Sequence, residues 1–156
     1  GLQGKIPYRM DKRIREWCFG SFDGAYDGDL FMGLIPRIFN VDHVHQLSYA
    51  ELAEGLVEVD TAGWAEGWEK LSGRIKEGFE AIAKEMEEQG GGNALVVSHG
   101  MTIGTIVYLI NGMHPHGLDN GSVTILEYED GQFSVEVVGD RSYRELGREK
   151  MLETNS

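Results

Sequence analysis

The chain has one cysteine, three prolines, no apolar stretch of membrane-spanning length, and only about half as many basic residues as acidic ones. Each shortage excludes something. Cys18 has no second thiol to pair with, so no internal disulfide framework holds the fold, and a reducing compartment is expected. No run approaches the roughly 20 apolar residues of a membrane span, and no basic-then-apolar leader opens the chain. Lys and Arg number 14 against 26 Asp and Glu, a formal net charge of −12. That balance argues against nucleic acid or an anionic membrane surface as the main partner, because both reward a basic face. The expectation is a soluble, cytoplasmic protein.

What is present suits a globular domain. The 156 residues are 41% hydrophobic and 26% charged, enough for a single domain over 1–156 with its own core. Glycine is plentiful at 22 residues, about twice its usual share of roughly 7%, and it is scattered without period, as expected of turns and close backbone approaches. Residue 1 is Gly rather than Met, which raises the expectation of further chain upstream.

Trp64, Trp68, Leu71, Ile75, Phe79, Ile82 and Met86 recur every three or four residues, which predicts one long amphipathic helix. Glu66, Lys70, Arg74, Lys76, Glu77 and Lys84 fall between them and are assigned to its solvated face. Gln89-Gly90-Gly91-Gly92-Asn93 stops it. Ala94-Leu95-Val96-Val97 then reads as a strand buried on both faces, as in a parallel sheet. After Ser98-His99-Gly100, a further helix runs from Met101 to Ile110. Ser48 and Glu51 form a capping box that starts a short helix, and another is expected over 29–39, bent at Pro36. Val123–Tyr128 and Phe133–Val138 flank a turn and predict a hairpin, followed by a polar tail from about Arg141. Helix, strand, turn and helix in succession are the grammar of an α/β protein. Only 94–97, with a short strand over 5–10, is left to build its parallel sheet, which points to a missing central piece.

Two constellations could carry chemistry. His99 and Gly100 stand where a strand meets a helix N-terminus, at the carboxyl end of a strand, where open α/β sheets bind ligands and unpaired N–H groups favour an anion. Against this stands a plain capping histidine. A serine hydrolase is disfavoured, because a nucleophile elbow needs glycine where Val96 stands, two residues before Ser98. Upstream, Ile14-Arg15-Glu16-Trp17-Cys18-Phe19-Gly20-Ser21-Phe22-Asp23-Gly24 sets one carboxylate among aromatic rings. Such a group can hold its proton as a general acid, or it can simply pair with a neighbouring arginine. Asp42-His43-Val44-His45 and His114-Pro115-His116 carry His-x-His pairs but lack a third ligand nearby, so solvated loop histidines are expected there. Lys5, Arg9, Lys12, Arg13 and Arg15 crowd into the first fifteen residues, an exposed strand face by expectation with a phosphate-attracting patch as the alternative, and Cys18 is expected to be small and buried.

Residues 14–24 resemble the Leu-x-Glu-x-x-x-Gly-x-x-x-Gly segment of the histidine phosphatase superfamily, the phosphoglycerate mutase-like enzymes. Val96-Val97-Ser98-His99-Gly100 resembles the second histidine motif of that family, and Asn120-Gly121-Ser122-Val123 with the hairpin resembles its late strands. The resemblance implies a three-layer α/β fold of phosphoglycerate mutase type, a mostly parallel sheet flanked by helices with a late hairpin. It implies phosphoryl transfer from a small phosphorylated metabolite through a phosphohistidine, with no metal and no organic cofactor. Glu16 would be the catalytic acid and base, His99 would hold the phosphoryl oxygens, and Gly100, Met101 and Phe19 would line the substrate. The family's Arg-His-Gly motif, which carries the nucleophile, does not occur in the 156 residues. The expectation is therefore a family member seen without its N-terminal segment and its first central strand, inactive as it stands. The alternatives are a non-catalytic phosphate-ligand or protein-binding domain of the same fold, and, further off, a metal-dependent hydrolase built on the His-x-His pairs.

Overall fold

The structure, a computed structural model, describes residues 8–26, 28–115 and 117–154. Among the described residues, five α-helices and one hairpin follow in order: α1 (Ile35–Phe39), α2 (Tyr49–Val59), α3 (Trp68–Glu88), α4 (Gly100–Asn111), β1 (Val123–Glu129), β2 (Gln132–Asp140) and α5 (Ser142–Thr154).

The longest helix organises the rest. Leu71, Ile75, Gly78, Phe79 and Ala83 form the buried stripe of α3. It packs against α2, α4 and residues 12–14. The core gathers there, from Trp17, Leu30 and Ile35 through Leu52 and Leu56 to Leu71, Ile75, Phe79 and Ile106. The helix starts four residues later than the periodicity suggests. Trp64 is 68% exposed and lies in the preceding loop. The loop owes its shape to Asp60, whose carboxylate accepts the N–H groups of Ala62, Trp64 and Ala65 and turns the chain before a helix can begin. The first helical N–H, on Trp68, then donates to Glu54 of α2 at 2.7 Å.

Local signals are otherwise well expressed. Ser48 and Glu51 cap α2 reciprocally, at 3.1 and 2.8 Å. A helical segment runs over 28–39, widely wound through Gly28–Leu34 before the α-helical turn of α1. Pro36 sits in the first turn of α1, where the widely wound stretch gives way to the α-helix. β1 and β2 pair antiparallel from Glu129 opposite Gln132 outward. Asp130 and Gly131 both have positive φ, 51° and 80°, the combination that matches a tight hairpin to strand twist.

Three expectations are corrected. The tail after Arg141 is helical as α5, because Asp140 caps it by accepting the Ser142 N–H at 2.8 Å, and Arg144 ties it to the carbonyl of Asn120. The segment 94–97 is not buried on both faces. Val96 packs against the core, while Leu95 and Val97 are 82% and 84% exposed. The reason is plain: the sheet among the described residues has two strands, β1 and β2, and none lies along 94–97. The expected strand over 5–10 falls partly outside the described residues, and 8–10 enters no ladder.

The packing makes a contrast measurable by urea unfolding. Leu71→Ala, at a fully buried position, is expected to cost about 2–5 kcal/mol, whereas Leu95→Ala stays within about 0.5 kcal/mol of the parent. Equal losses at the two positions would mean that 94–97 is covered.

Candidate active site

Residues 13–17 run beside the start of α4, and neither segment hydrogen-bonds to the other through a backbone ladder. Side chains do the joining. The Ser98 hydroxyl donates to the carbonyl of Ile14 at 2.7 Å. The Thr102 hydroxyl lies 2.7 Å from the carbonyl of Arg15 and 3.1 Å from Glu16 Oε1. The Trp17 indole N–H donates to the Thr105 hydroxyl at 3.0 Å, and that hydroxyl donates in turn to the Met101 carbonyl. Thr102 and Thr105 are fully buried, so each polar atom in this seam needs its partner.

Glu16 sits at the centre. Its Oε1 accepts the N–H groups of Trp17 at 2.9 Å and Thr102 at 3.0 Å, and its Oε2 accepts that of Met101 at 3.2 Å. The carboxylate thus occupies the positive end of α4 and satisfies two of the N–H groups that a helix start leaves open. The surroundings expected of it, a wall of aromatic rings, are replaced by donors. Trp17 turns its ring into the core against Tyr49, 5.8 Å between centroids. Tyr49, buried and facing the Glu16 charge, has its phenol pushed up to about 12 by burial first and that charge second.

His99 is the N-cap residue of α4, exposed, with its carbonyl accepting the Ile103 N–H. Its imidazole makes no capping bond, because Glu16 has taken that role. Gly100 opens the helix, and Met101 presents its N–H to Glu16. Phe19 is half-buried, stacked on Trp17 and edge-on to Phe31, with its N–H on Asp23. The five residues singled out from the sequence therefore fall into two groups. Glu16, His99, Gly100 and Met101 meet at one helix end, while Phe19 stands two residues beyond Trp17 on the turn that follows.

The structure adds residues that periodicity concealed. Glu66 and Arg74, assigned above to a solvated face, are buried together, with side chains 2% and 10% exposed. Arg15 completes the group through its Nη2 on Glu66 Oε1 at 2.5 Å. Arg74 flanks the apolar stripe beside Ile75, so its position was visible in the sequence but its partners were not. The basic residues of 9–15 are partly paired, Arg9 with Glu85, Arg13 with Asp11 and Glu77, and Arg15 with Glu66, while Arg9, Lys12 and Arg15 are exposed as expected. Lys5 lies outside the described residues.

Cys18 is half-buried rather than buried, its Sγ 3.6 Å from Asp23. His114 is not a solvated loop residue. It stacks on Tyr49 at 4.8 Å and tilts against Tyr108 at 4.5 Å, close behind the site. His43 and His45 are exposed, His116 lies outside the described residues, and no three of His, Cys, Asp and Glu among the described residues cluster as metal ligands. No helix among them is long and apolar enough to cross a membrane.

Asp60 fixes the other side of the turn after Phe19. It accepts the Ser21 N–H at 2.7 Å, and Gly20, at φ 63°, leaves the carboxylate room that a Cβ would fill. The N–H of Ala65 is the largest of several donors that hold the Asp60 carboxyl well below the usual range, with those of Ser21, Ala62 and Trp64 adding to it against partial burial. A value lowered in the folded state gives stability that is complete above about pH 4 and drains away as pH falls toward the folded value. Asp60→Asn is therefore expected to flatten the loss of stability measured by urea unfolding on acidification below about pH 4. Parallel curves for parent and variant would remove Asp60 from the acid response.

Comparison with known proteins now has a geometry to meet. The family model described as histidine phosphatase superfamily (branch 1) matches residues 1–141. A phosphoglycerate mutase from Bacillus anthracis strain Sterne, known from its crystal structure, superposes with a TM-score of 0.84 and 34% sequence identity. The match covers 94% of this chain and 66% of the mutase, so the chain spans just under two thirds of that relative's length. No curated protein sequence matches. The fold is of phosphoglycerate mutase type, and the chain belongs to the histidine phosphatase superfamily.

Proposed function

We propose that Glu16 and His99 are working residues of a phosphoryl-transfer site for a small phosphomonoester. The observation that carries this reading is their meeting at the N-terminus of α4, a carboxylate held by three backbone N–H groups beside an exposed histidine free of capping duty. In a phosphatase of this kind the P–O bond to the leaving group breaks as a P–N bond to a histidine forms, and the departing oxygen takes a proton. Water then attacks phosphorus, gives up its proton and releases the histidine.

Glu16 suits both proton steps. Oε1 is filled by the N–H groups of Trp17 and Thr102, with the Thr102 hydroxyl close by, whereas Oε2 receives only the Met101 N–H among the described residues. Oε2 is therefore the oxygen with a lone pair open to a proton. General acid–base help of this sort is worth about 10²–10⁴-fold. His99 would donate to the phosphoryl oxygens, with the Gly100 backbone admitting them closely, and such fixed donors commonly supply the largest part of the rate. Met101 and Phe19 would bound the substrate on either side of Glu16.

The phosphoryl-accepting histidine and its neighbouring arginine are not provided by this sequence, because no Arg-His-Gly occurs among its residues. The chain alone is accordingly expected to bind the oxyanion without turning over an ester. Isothermal titration with orthovanadate tests this. His99→Ala is expected to weaken binding by about 10–100-fold, the worth of a hydrogen bond to a charged group, with hydrolysis of p-nitrophenyl phosphate at background in parent and variant. Unchanged affinity in the variant would return the chain to the reading as a protein-binding domain of the same fold.

A further inference from the structure

We infer that Arg74 is a positioning residue for Glu16, with Glu66 as its anchor. The functional meaning rests on Glu16 being the proton-transferring group, but the geometry stands without it.

A guanidinium carries five N–H donors in a rigid fork. In Arg74 all five are engaged. Nε faces both oxygens of Glu66, at 3.1 and 3.0 Å. Nη1 donates to the carbonyls of Arg13 and Arg15, at 2.8 and 2.9 Å. Nη2 donates to the carbonyl of Glu16 at 2.9 Å and to Glu66 Oε2 at 2.7 Å. One side chain of α3 therefore grips three carbonyls in four consecutive residues, and the last belongs to Glu16 itself. The fourth, that of Ile14, is held by Ser98 from the other side. With no strand ladder to fix 13–16, these side-chain bonds set where the Glu16 backbone lies and hence where its carboxylate reaches α4.

Glu66 fixes the direction of the fork. It is paired twice by Arg74 and once by Arg15, the residue next to Glu16, so two cations flank one buried anion. The Glu16 carboxylate brings the group to two positive and two negative side chains. A lysine at 74 keeps the charge but has three donors on a single nitrogen, and it cannot span Glu66 and three carbonyls at once.

Amide hydrogen exchange on the ¹⁵N-labelled chain tests the inference. The N–H groups of Met101 and Thr102 are protected by Glu16, so Glu16→Ala is expected to speed their exchange tenfold or more. Arg74→Lys is expected to do the same at those two amides, with Ile106 and Val107 in the same helix affected far less, and to add nothing further in the double variant. Ile75→Val, beside Arg74 on the helix, is the control for general weakening. It should alter the slowest core amides without singling out Met101 and Thr102. Parent-like exchange at Met101 and Thr102 in Arg74→Lys, or acceleration spread evenly over the molecule, overturns the inference. Should Arg74→Lys not fold, Glu66→Gln serves, with a smaller acceleration expected at the same two amides and none there counting against it. A chain that fails to bind vanadate would lose its proposed function while this exchange pattern still reported whether Arg74 holds Glu16.

Discussion

The carboxylate of Glu16, set on the first turn of α4, is the contact on which the architecture turns. It joins a segment without regular structure to the N-terminus of a buried helix, and it does so with backbone donors that have no other partner among the described residues. Around it the carbonyls of residues 13–16 are answered one by one from Arg74, Ser98 and Thr102. A strand in a sheet would have these groups satisfied by its neighbours. Here the same accounting is met by side chains, which makes their identities matter in a way that a ladder would not.

Burying Glu66 with Arg74 carries a desolvation cost that hydrophobic residues of the same volume would not incur. The pair is therefore weak evidence of stabilisation and better evidence of specification. Removing one partner would strand the other, at about 3–5 kcal/mol, whereas the pair together defines a direction and a distance. The acid excess of the chain is used in a related way elsewhere. Asp60 collects four backbone N–H groups, Glu54 takes the first of α3, Asp23 that of Phe19 and Asp140 that of Ser142. Carboxylates at the starts of turns and helices suit the local dipole, so several of the negative charges are structural fittings as well as surface charge.

Much of this was legible from the residues. The Ser48 cap, the Asp130-Gly131 hairpin, the buried stripe of α3 and the place of His99, Gly100 and Met101 at a helix start follow from spacing and turn chemistry, whereas the meeting of Glu16 with them does not. The family was legible as a resemblance, carried by Glu16, Gly20, Gly24 and Ser98-His99-Gly100 standing in order, and the family model bears it out. What escaped was long-range. Trp64 fits the helical period, but Asp60 ends the preceding helix with a carboxylate that bends the chain, and no periodicity registers that. Glu66 and Arg74 look like ordinary exposed charges, since a one-dimensional pattern shows which flank a residue occupies but not what arrives opposite. The segment 94–97 has the composition of an interior strand, yet composition states only what burial would favour. Here the strands that would cover Leu95 and Val97 are not among the described residues.

The bonds that build the site are also far apart in the chain. Arg74 reaches back 58 to 61 residues, and the contacts of Ser98 and α4 with residues 14–17 close loops of 84 to 88. Closing a loop of that length costs about 2 kcal/mol more than closing one of ten residues, and nothing local repays it beforehand. The helices can form early from their own propensities, but the Glu16 contact waits until α3 and α4 have packed. Assembly of this corner therefore belongs to the slow, late part of folding, where high contact order sets the rate. A nascent chain emerging from synthesis would hold Glu16 apart from the amides that receive its carboxylate until residue 102 had appeared.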